Sequence, residues 1–167
     1  MRGELVSFTV ETYQDRFRAG VADLIVPIQR QEFGVEITYE DQPDLTDVAG
    51  FYQWGCGDFW LAVANGKVVG SIALRDIGDG EAALRKMFVA ADWRGAEHGV
   101  ARALLNRLID HARSAGTRAI WLGTTAKFLA AHRFYEKNGF AEVAEKTLPE
   151  SFPRMKIDTR FYRLALA

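Results

Sequence analysis

The sequence predicts a mixed α/β (α+β) domain: a mostly antiparallel central sheet of about seven strands with helices on both faces. Three observations predict it. Asn65-Gly66, set between the apolar runs "FWLAVA" and "KVVGSIAL", is a strong two-residue hairpin signal. In the second half, strand-like runs alternate with stretches of helical periodicity, the pattern of strand-helix-strand crossovers. A length of 167 residues with 49% hydrophobic content suits a single domain with a sizeable core, and no linker or internal repeat divides residues 1–167.

Glu4 to Val10 alternates as a first strand. From about Gln14 to Gln31, Phe17, Val21, Leu24, Ile25 and Ile28 recur at helical spacing, and Pro27 is expected to kink or shorten that helix. "GVEITYEDQPDLTDVAGFY" supplies a loop and a second short helix, with Asp44 as its cap and Leu45, Val48 and Phe51 as its buried side. The hairpin follows from Asp58, and a third strand, "EAALRKMFVA", runs to about Val89 after the turn "IGDG". A helix from near Gly99 to about Ala115 has Val100, Leu104, Leu108 and Ala112 as its apolar stripe, widened by Leu105 and Ile109. Arg102, Asn106, Arg107, Asp110 and Arg113 face away from that stripe. The chain closes with a strand "RAIWLG", a helix "TAKFLAAHRFYEKN" stopped by Gly139, and strands from Phe140 to Glu145 and Thr159 to Leu166.

Composition narrows the function classes. With 21 basic and 22 acidic residues the formal net charge is -1, which gives no global attraction for nucleic acid or an anionic membrane, so neither is expected as a partner. No apolar run approaches the roughly 18 residues of a transmembrane helix. The first residues lack the apolar stretch and cleavage site of a signal peptide. Cys56 is the only cysteine, which fits a reducing cytoplasm, and its place between two glycines in "GCGDFW" reads as a turn rather than an activated nucleophile. His98, His111 and His132 have no metal-ligand spacing with one another or with Cys56, and no metal is expected.

The stretch "WRGAEHGVARALL", Trp93 to Leu105, carries the chemistry. The first amides of a helix have no partner within it, and the aligned peptide dipoles place roughly half a positive charge there. Gly95 and Gly99 would let the backbone approach a phosphate closely, with Arg94, His98 and Arg102 beside them. Taken alone, the same residues also fit a surface helix with incidental glycines. A P-loop is excluded because no Gly-Lys-Ser/Thr follows, and a dinucleotide fold because the Gly-x-Gly-x-x-Gly spacing is missing.

"ALRKMFV", "WRG...GVARALL" and "AAHRFYEKNGF" together resemble the GCN5-related N-acetyltransferase (GNAT) superfamily, strongly from Trp60 to Phe140 and by element order in the flanks. The resemblance implies a GNAT fold with a splayed cofactor-binding strand and acetyl-CoA as cofactor, with no metal. It implies that the backbone of Met87 and Val89 pairs with the pantetheine arm. It implies too that the loop of Arg94, Gly95, Gly99, Val100, Ala101 and Arg102 wraps the pyrophosphate, with His98 facing either the phosphates or solvent. The family's Arg/Gln-x-x-Gly-x-Gly/Ala pattern is met at Gly99, Val100 and Ala101 and departed from upstream, where Ala96 replaces Arg or Gln and the loop is two residues longer. Ala131, Phe134, Tyr135, Gly139 and Phe140 match the second family motif, and Phe128 replaces its usual Asn.

By resemblance Tyr135 is the general acid that protonates the departing thiolate, a role its neutral hydroxyl can fill. The alternative for Tyr135 is packing in the apolar face of its helix. The base is open: Glu32 and Glu81 are candidate acceptor-side residues, Ala83 stands where some relatives carry a catalytic Glu, and a water-relayed base is the default. The implied function is direct acetyl transfer to a primary amine of a small molecule or peptide, without an acyl-enzyme. The rival reading is a non-catalytic acyl-CoA-binding module of the same fold. The aromatic stretch "FYQWGCGDFW" fits either an acceptor pocket or the sheet core. An apolar, aromatic closing segment makes a homodimer an expectation as well.

Overall fold

A computed structural model of the chain describes residues 7–125 and 129–166. These form one seven-stranded sheet in the order β1-β2-β3-β4-β5-β7-β6. The strands are β1 Thr9–Thr12, β2 Asp58–Ala64, β3 Lys67–Gly78, β4 Glu81–Val89, β5 Ala119–Thr124, β6 Ala141–Val143 and β7 Arg160–Ala165. Every neighbouring pair is antiparallel except β4 and β5, which the helical crossover between them makes parallel. The helices are α1 Arg18–Pro27, α2 Pro43–Thr46, α3 Val48–Tyr52, α4 Val100–Ser114 and α5 Leu129–Lys137.

Two cores lie on opposite faces of the sheet. On one, α4 and α5 bury Val100, Leu104, Leu105, Leu108 and Tyr135 against Trp60, Ile72, Leu74, Ile120 and Leu122. On the other, α1 to α3 bury Val21, Leu24, Ile25, Leu45, Val48 and Tyr52 against Phe59, Leu61, Val68 and Ala73. The alternation of β2 divides it between them, with Trp60 on the first face and Phe59 and Leu61 on the second. Ala83, Trp121, Leu148, Phe152 and Phe161 form a smaller cluster under the segment between β6 and β7. The expected hairpin is present: Asn65 and Gly66 have φ of 52° and 74°, and positive φ at both central residues is the type I′ turn.

Local details depart from the sequence reading. The first strand begins at Thr9, where the backbone finds partners from Val63 to Trp60; Glu4, Leu5 and Val6 lie outside the described residues. The expected Gln14–Gln31 helix divides into a 3-10 turn at Asp15–Phe17, then α1, then a π turn at Ile28–Glu32. Pro27 ends the regular ladder because it has no N–H to give, and the turn after it widens until Phe33 N–H donates to Ile28 O at 3.2 Å. Asp44 is not a cap. Gln42 precedes α2 with Pro43 at its first position, and Asp44 is buried, while Asp47 caps α3 by accepting from Gly50 N–H. Tyr52 takes the buried place expected for Phe51, which is only partly covered.

His132 of α5 is 3% exposed. Its Nε2 lies 2.8 Å from Thr125 O and its Nδ1 lies 2.9 Å from an Arg160 nitrogen, so an Nε2–H tautomer satisfies both contacts. Arg160 in turn makes a bidentate pair with Glu142, which ties α5 to β7 and β6. The aromatics Tyr52, Phe59 and Trp60 of "FYQWGCGDFW" fill the two cores and line no acceptor pocket, whereas Trp54 is half exposed. Cys56 is a turn residue whose N–H donates to Asp76, and burial pushes its thiol up, away from a reactive thiolate.

Candidate functional site

The site begins with a break in β4. Ser71 of β3 faces Phe88 and Ala73 faces Arg85, so Lys86 and Met87 together oppose Ile72 in a β-bulge. Lys86 has φ of 54°, a left-handed conformation that places an extra side chain on one face. Its carbonyl accepts from the buried Ser71 hydroxyl at 2.7 Å. Two successive basic residues, Arg85 and Lys86, thus line the same cleft, together with Leu84 and Met87, which also pack in the core under α4.

The bulge coincides with a splay. β4 pairs with β5 only from Glu81–Ala83 to Ala119–Trp121. Beyond Ala83 and Trp121 the two strands part, leaving the β5-facing edge of β4 without a strand partner up to Val89. A cleft of about 520 Å³ fills the opening, walled by β4, β5, the end of the first helix, α5 and the segment before β7.

Arg94, on the cleft wall, begins the loop that leads to α4. Gly99 is its N-cap in the left-handed region at φ 69°, with no side-chain cap. The first helical hydrogen bond runs from Ala103 N–H to Gly99 O at 3.0 Å, so the amides of Val100, Ala101 and Arg102 precede the ladder. A Cβ on Gly70 would come within 2.9 Å of Val100, and this glycine is what lets α4 sit tightly on β3. The His98 ring packs beside Trp93, with centroids 5.5 Å apart.

Arg94 closes the cleft from the side. Its guanidinium makes a bidentate pair with Glu32 at 2.7 and 2.8 Å, and its Nε donates to Val89 O at 2.9 Å. The hydrogen bonds from Arg94 hold the Glu32 carboxyl below the usual carboxylate range. Beneath lies a buried polar cluster. Lys86 Nζ donates to Gln42 at 2.7 Å and lies 3.4 Å from Asp44, which also accepts from the Tyr52 hydroxyl at 2.5 Å. Burial lowers the Lys86 pKa despite the Asp44 charge. Arg85 differs: its guanidinium donates to the Met155 sulfur at 3.8 Å and makes no ion pair among the described residues.

Tyr135 reaches the cleft from α5 and is 6% exposed. Its hydroxyl has no hydrogen-bond partner among the described residues, and burial alone raises its pKa, so it stays protonated at neutral pH. Asp158 reaches the cleft from the opposite face. A Cβ on Gly123 would lie 2.6 Å from the Asp158 carboxylate, which therefore rests directly on the β5 backbone.

Of the residues singled out by sequence, Met87, Val89, Arg94, Glu32 and Tyr135 come together around one cleft. Gly95, with φ of 109°, together with His98, Gly99, Val100, Ala101 and Arg102 forms the loop and helix start beside it. Glu81 does not join them: it begins β4 opposite Gly78, six residues from Met87, or roughly 20 Å of strand. Glu32 faces Arg94 rather than standing free for an acceptor. Ala83 is fully buried against the small third cluster. Phe128 lies outside the described residues. Arg85, Lys86 and Asp158 escaped sequence reasoning. Two adjacent charges inside the otherwise apolar "ALRKMFV" break strand alternation and are a bulge signal, but nothing local marks Asp158. No cluster of three or more His, Cys, Asp or Glu side chains suited to a metal occurs among the described residues, and no helix among them is long and apolar enough to cross a membrane.

Comparison with known proteins gives a consistent picture. The model of the Acetyltransferase (GNAT) family matches residues 22–140. N-acetylaspartate synthetase of Danio rerio is 37% identical over 126 residues, 72% of this chain and 44% of that protein. The chain spans less than half the length of the curated relatives it matches first. Among solved structures, a GNAT-family acetyltransferase from Staphylococcus aureus Mu50 superposes with a TM-score of 0.90 at 34% identity, covering 96% of this chain and 100% of that one. An acetyltransferase from Streptococcus agalactiae 2603 gives 0.89 at 33% identity, covering 96% and 99%.

Proposed function

The chain belongs to the acetyltransferase (GNAT) family, and we propose that it acts as a single domain to transfer the acetyl group of acetyl-CoA to the primary amine of a small, carboxylate-bearing acceptor. The observation that carries this reading is the meeting of the splayed β4 edge and Tyr135 at one cleft, with Arg94, which begins the loop leading to the α4 N-terminus, also on its wall. The arrangement suits acetyl-CoA. The Val100, Ala101 and Arg102 amides and the helix dipole would receive the pyrophosphate, with Gly95, Gly99 and His98 shaping the loop. The exposed backbone of Met87 and Val89 would pair with the pantetheine arm. When bound, acetyl-CoA supplies an activated acyl thioester to the cleft. Tyr135 holds a proton for the departing sulfur, and the apolar wall around it excludes water.

The acceptor class rests on Arg85 and on the relatives. Arg94 and Lys86 are each paired with a carboxylate, whereas among the described residues Arg85 has none within ion-pair distance, and it lines the cleft. An acceptor carboxylate is the group that would satisfy it. The relatives' name, N-acetylaspartate synthetase, supports an amino acid as the acceptor. The single cysteine supports a cytoplasmic setting, and the apolar closing segment supports a homodimer.

A CoA-release screen over L-aspartate, L-glutamate, neutral amino acids, polyamines, aminoglycosides and short peptides tests the proposal. Release with the acidic amino acids and not with polyamines is the expected result. A folded protein that binds acetyl-CoA yet releases thiol with none of them is a binding module instead.

A further inference from the structure

We propose that Asp158 is the catalytic base, taking the proton that the acceptor amine must lose, from the face of the sheet opposite Tyr135. This rests on the transferase reading and supplies the group that reading leaves unnamed.

Gly123 lies on β5 two residues past the last pairing with β4. Its backbone does not need glycine, since its φ is not positive. The three atoms nearest to a Cβ built there all belong to Asp158, with the carboxylate at 2.6 and 2.9 Å and the Asp158 Cβ at 3.2 Å, so the missing side chain admits that carboxylate. Trp121 packs in the cluster with Ala83 and Phe152, and alternation puts Gly123 on the same face two residues later. Leu122 points the other way, into the core that holds Tyr135. Acid and candidate base therefore enter the opening between β4 and β5 from opposite faces, and both line the cleft.

The register fixes the position along the strands. Ala83 and Trp121 are the last partners, so Arg85 and Gly123 are the residues that would next have faced each other on this side. Asp158 fills the gap left by their separation, on the β5 bank, with Arg85 on the β4 bank. Thr159 N–H donates to Thr124 O at 2.9 Å and Asp158 N–H to Met155 O at 3.1 Å, so the segment carrying the carboxylate is pinned to β5.

The electrostatics suit a base. Burial raises the Asp158 pKa, opposed by hydrogen bonding from the Met155 backbone and by the Arg85 charge. Of the other groups around the cleft, Glu32 and Arg94 are paired with each other and Lys86 with Asp44, and Tyr135 faces it neutral from α5. In the step, the amine nitrogen forms a bond to the acetyl carbon and the carbon–sulfur bond breaks. Asp158 first takes one proton from the ammonium, freeing the lone pair that attacks; the Tyr135 hydroxyl proton passes to the departing sulfur, and the second nitrogen proton, lost as the amide forms, returns to the Tyr135 oxygen through solvent.

The test is the pH dependence of the single-turnover rate with L-aspartate and acetyl-CoA in the parent and in Asp158→Asn. The parent should show a plateau between the Asp158 pKa and that of the amine. Asp158→Asn should be slower by roughly a hundredfold to ten-thousandfold at neutral pH. It should also lose the plateau, its rate rising about tenfold per pH unit until the amine itself deprotonates, because only free amine then reacts. Acetyl-CoA affinity should not change. Gly123→Ala, which displaces the carboxylate without removing it, should give the same sloping profile. In the protein without ligand, the Asp158 carboxyl carbon should titrate by NMR above the ordinary aspartate range. An Asp158→Asn rate within about threefold of the parent with its plateau intact, or an ordinary Asp158 titration, overturns the assignment. A parent that binds acetyl-CoA but acetylates no amine overturns the transferase reading and this assignment with it.

Discussion

Arg94 and Glu32, 62 residues apart in sequence, meet in a two-pronged ion pair that joins the α4 loop to the end of the first helix across the mouth of the cleft. The guanidinium proposed for a phosphate is thus occupied by a carboxylate in the free protein. Glu32→Gln should release it and raise CoA affinity several-fold by calorimetry, a gain that shrinks with added salt. Its stability cost should be small, below about 1 kcal/mol, because both side chains are more than a third exposed. The folded carboxyl pKa is depressed, so this contribution is present above the unfolded value of about 4.3 and lost as pH falls through the folded one. The stability difference between parent and Glu32→Gln should therefore vanish in acid. Unchanged CoA affinity would show that Arg94 serves only the ion pair.

Gly99 stands at φ 69° with open space where a Cβ would go. Gly99→Ala should thus cost stability only through backbone strain, about 1 kcal/mol, with little effect on CoA binding. Gly99→Glu adds a carboxylate at the helix start, and CoA affinity should collapse while the fold survives. Equal CoA affinity in the Ala and Glu variants, read by titration, would remove the α4 entrance from the account.

Tyr135→Phe keeps the ring that contacts Phe134, Phe140 and Tyr162 and deletes only the hydroxyl. Folding and acetyl-CoA affinity should change little, and the single-turnover rate should drop roughly a hundredfold to ten-thousandfold. A rate within about threefold of the parent would return Tyr135 to a packing role.

The Lys86–Asp44 pair is buried, and removing either charge strands the other. Lys86→Met and Asp44→Asn should each destabilise by about 3 kcal/mol in denaturant unfolding, and the double variant by clearly less than their sum. Additive costs would mean that the two charges do not depend on each other.

Subunit pairing is checked by sedimentation. A homodimer predicts about twice the chain mass at tens of micromolar, and a species near 18.7 kDa would exclude it at that concentration.

Much of this architecture was legible locally. Asn65-Gly66 announced its hairpin because only a few residue types accept positive φ twice in succession. The apolar stripe of α4 announced its buried face because the helical period is fixed. Where chain neighbours compete, legibility failed: Pro27 opened a π turn rather than a simple kink, and Asp44 left its expected capping place to partner Lys86, 42 residues away.

The sequence by itself determined the order of elements, the glycine-marked helix entrance and the placing of Tyr135, because each is written in residues adjacent along the chain. Only the tertiary structure decided which charges share the cleft. The bulge at Lys86 turned Arg85 and Lys86 toward one region, the parting of β4 from β5 opened a space between them, and a distant segment laid Asp158 on Gly123. These are contacts between residues tens of positions apart. They depend on register and strand separation, which no local pattern of residues encodes.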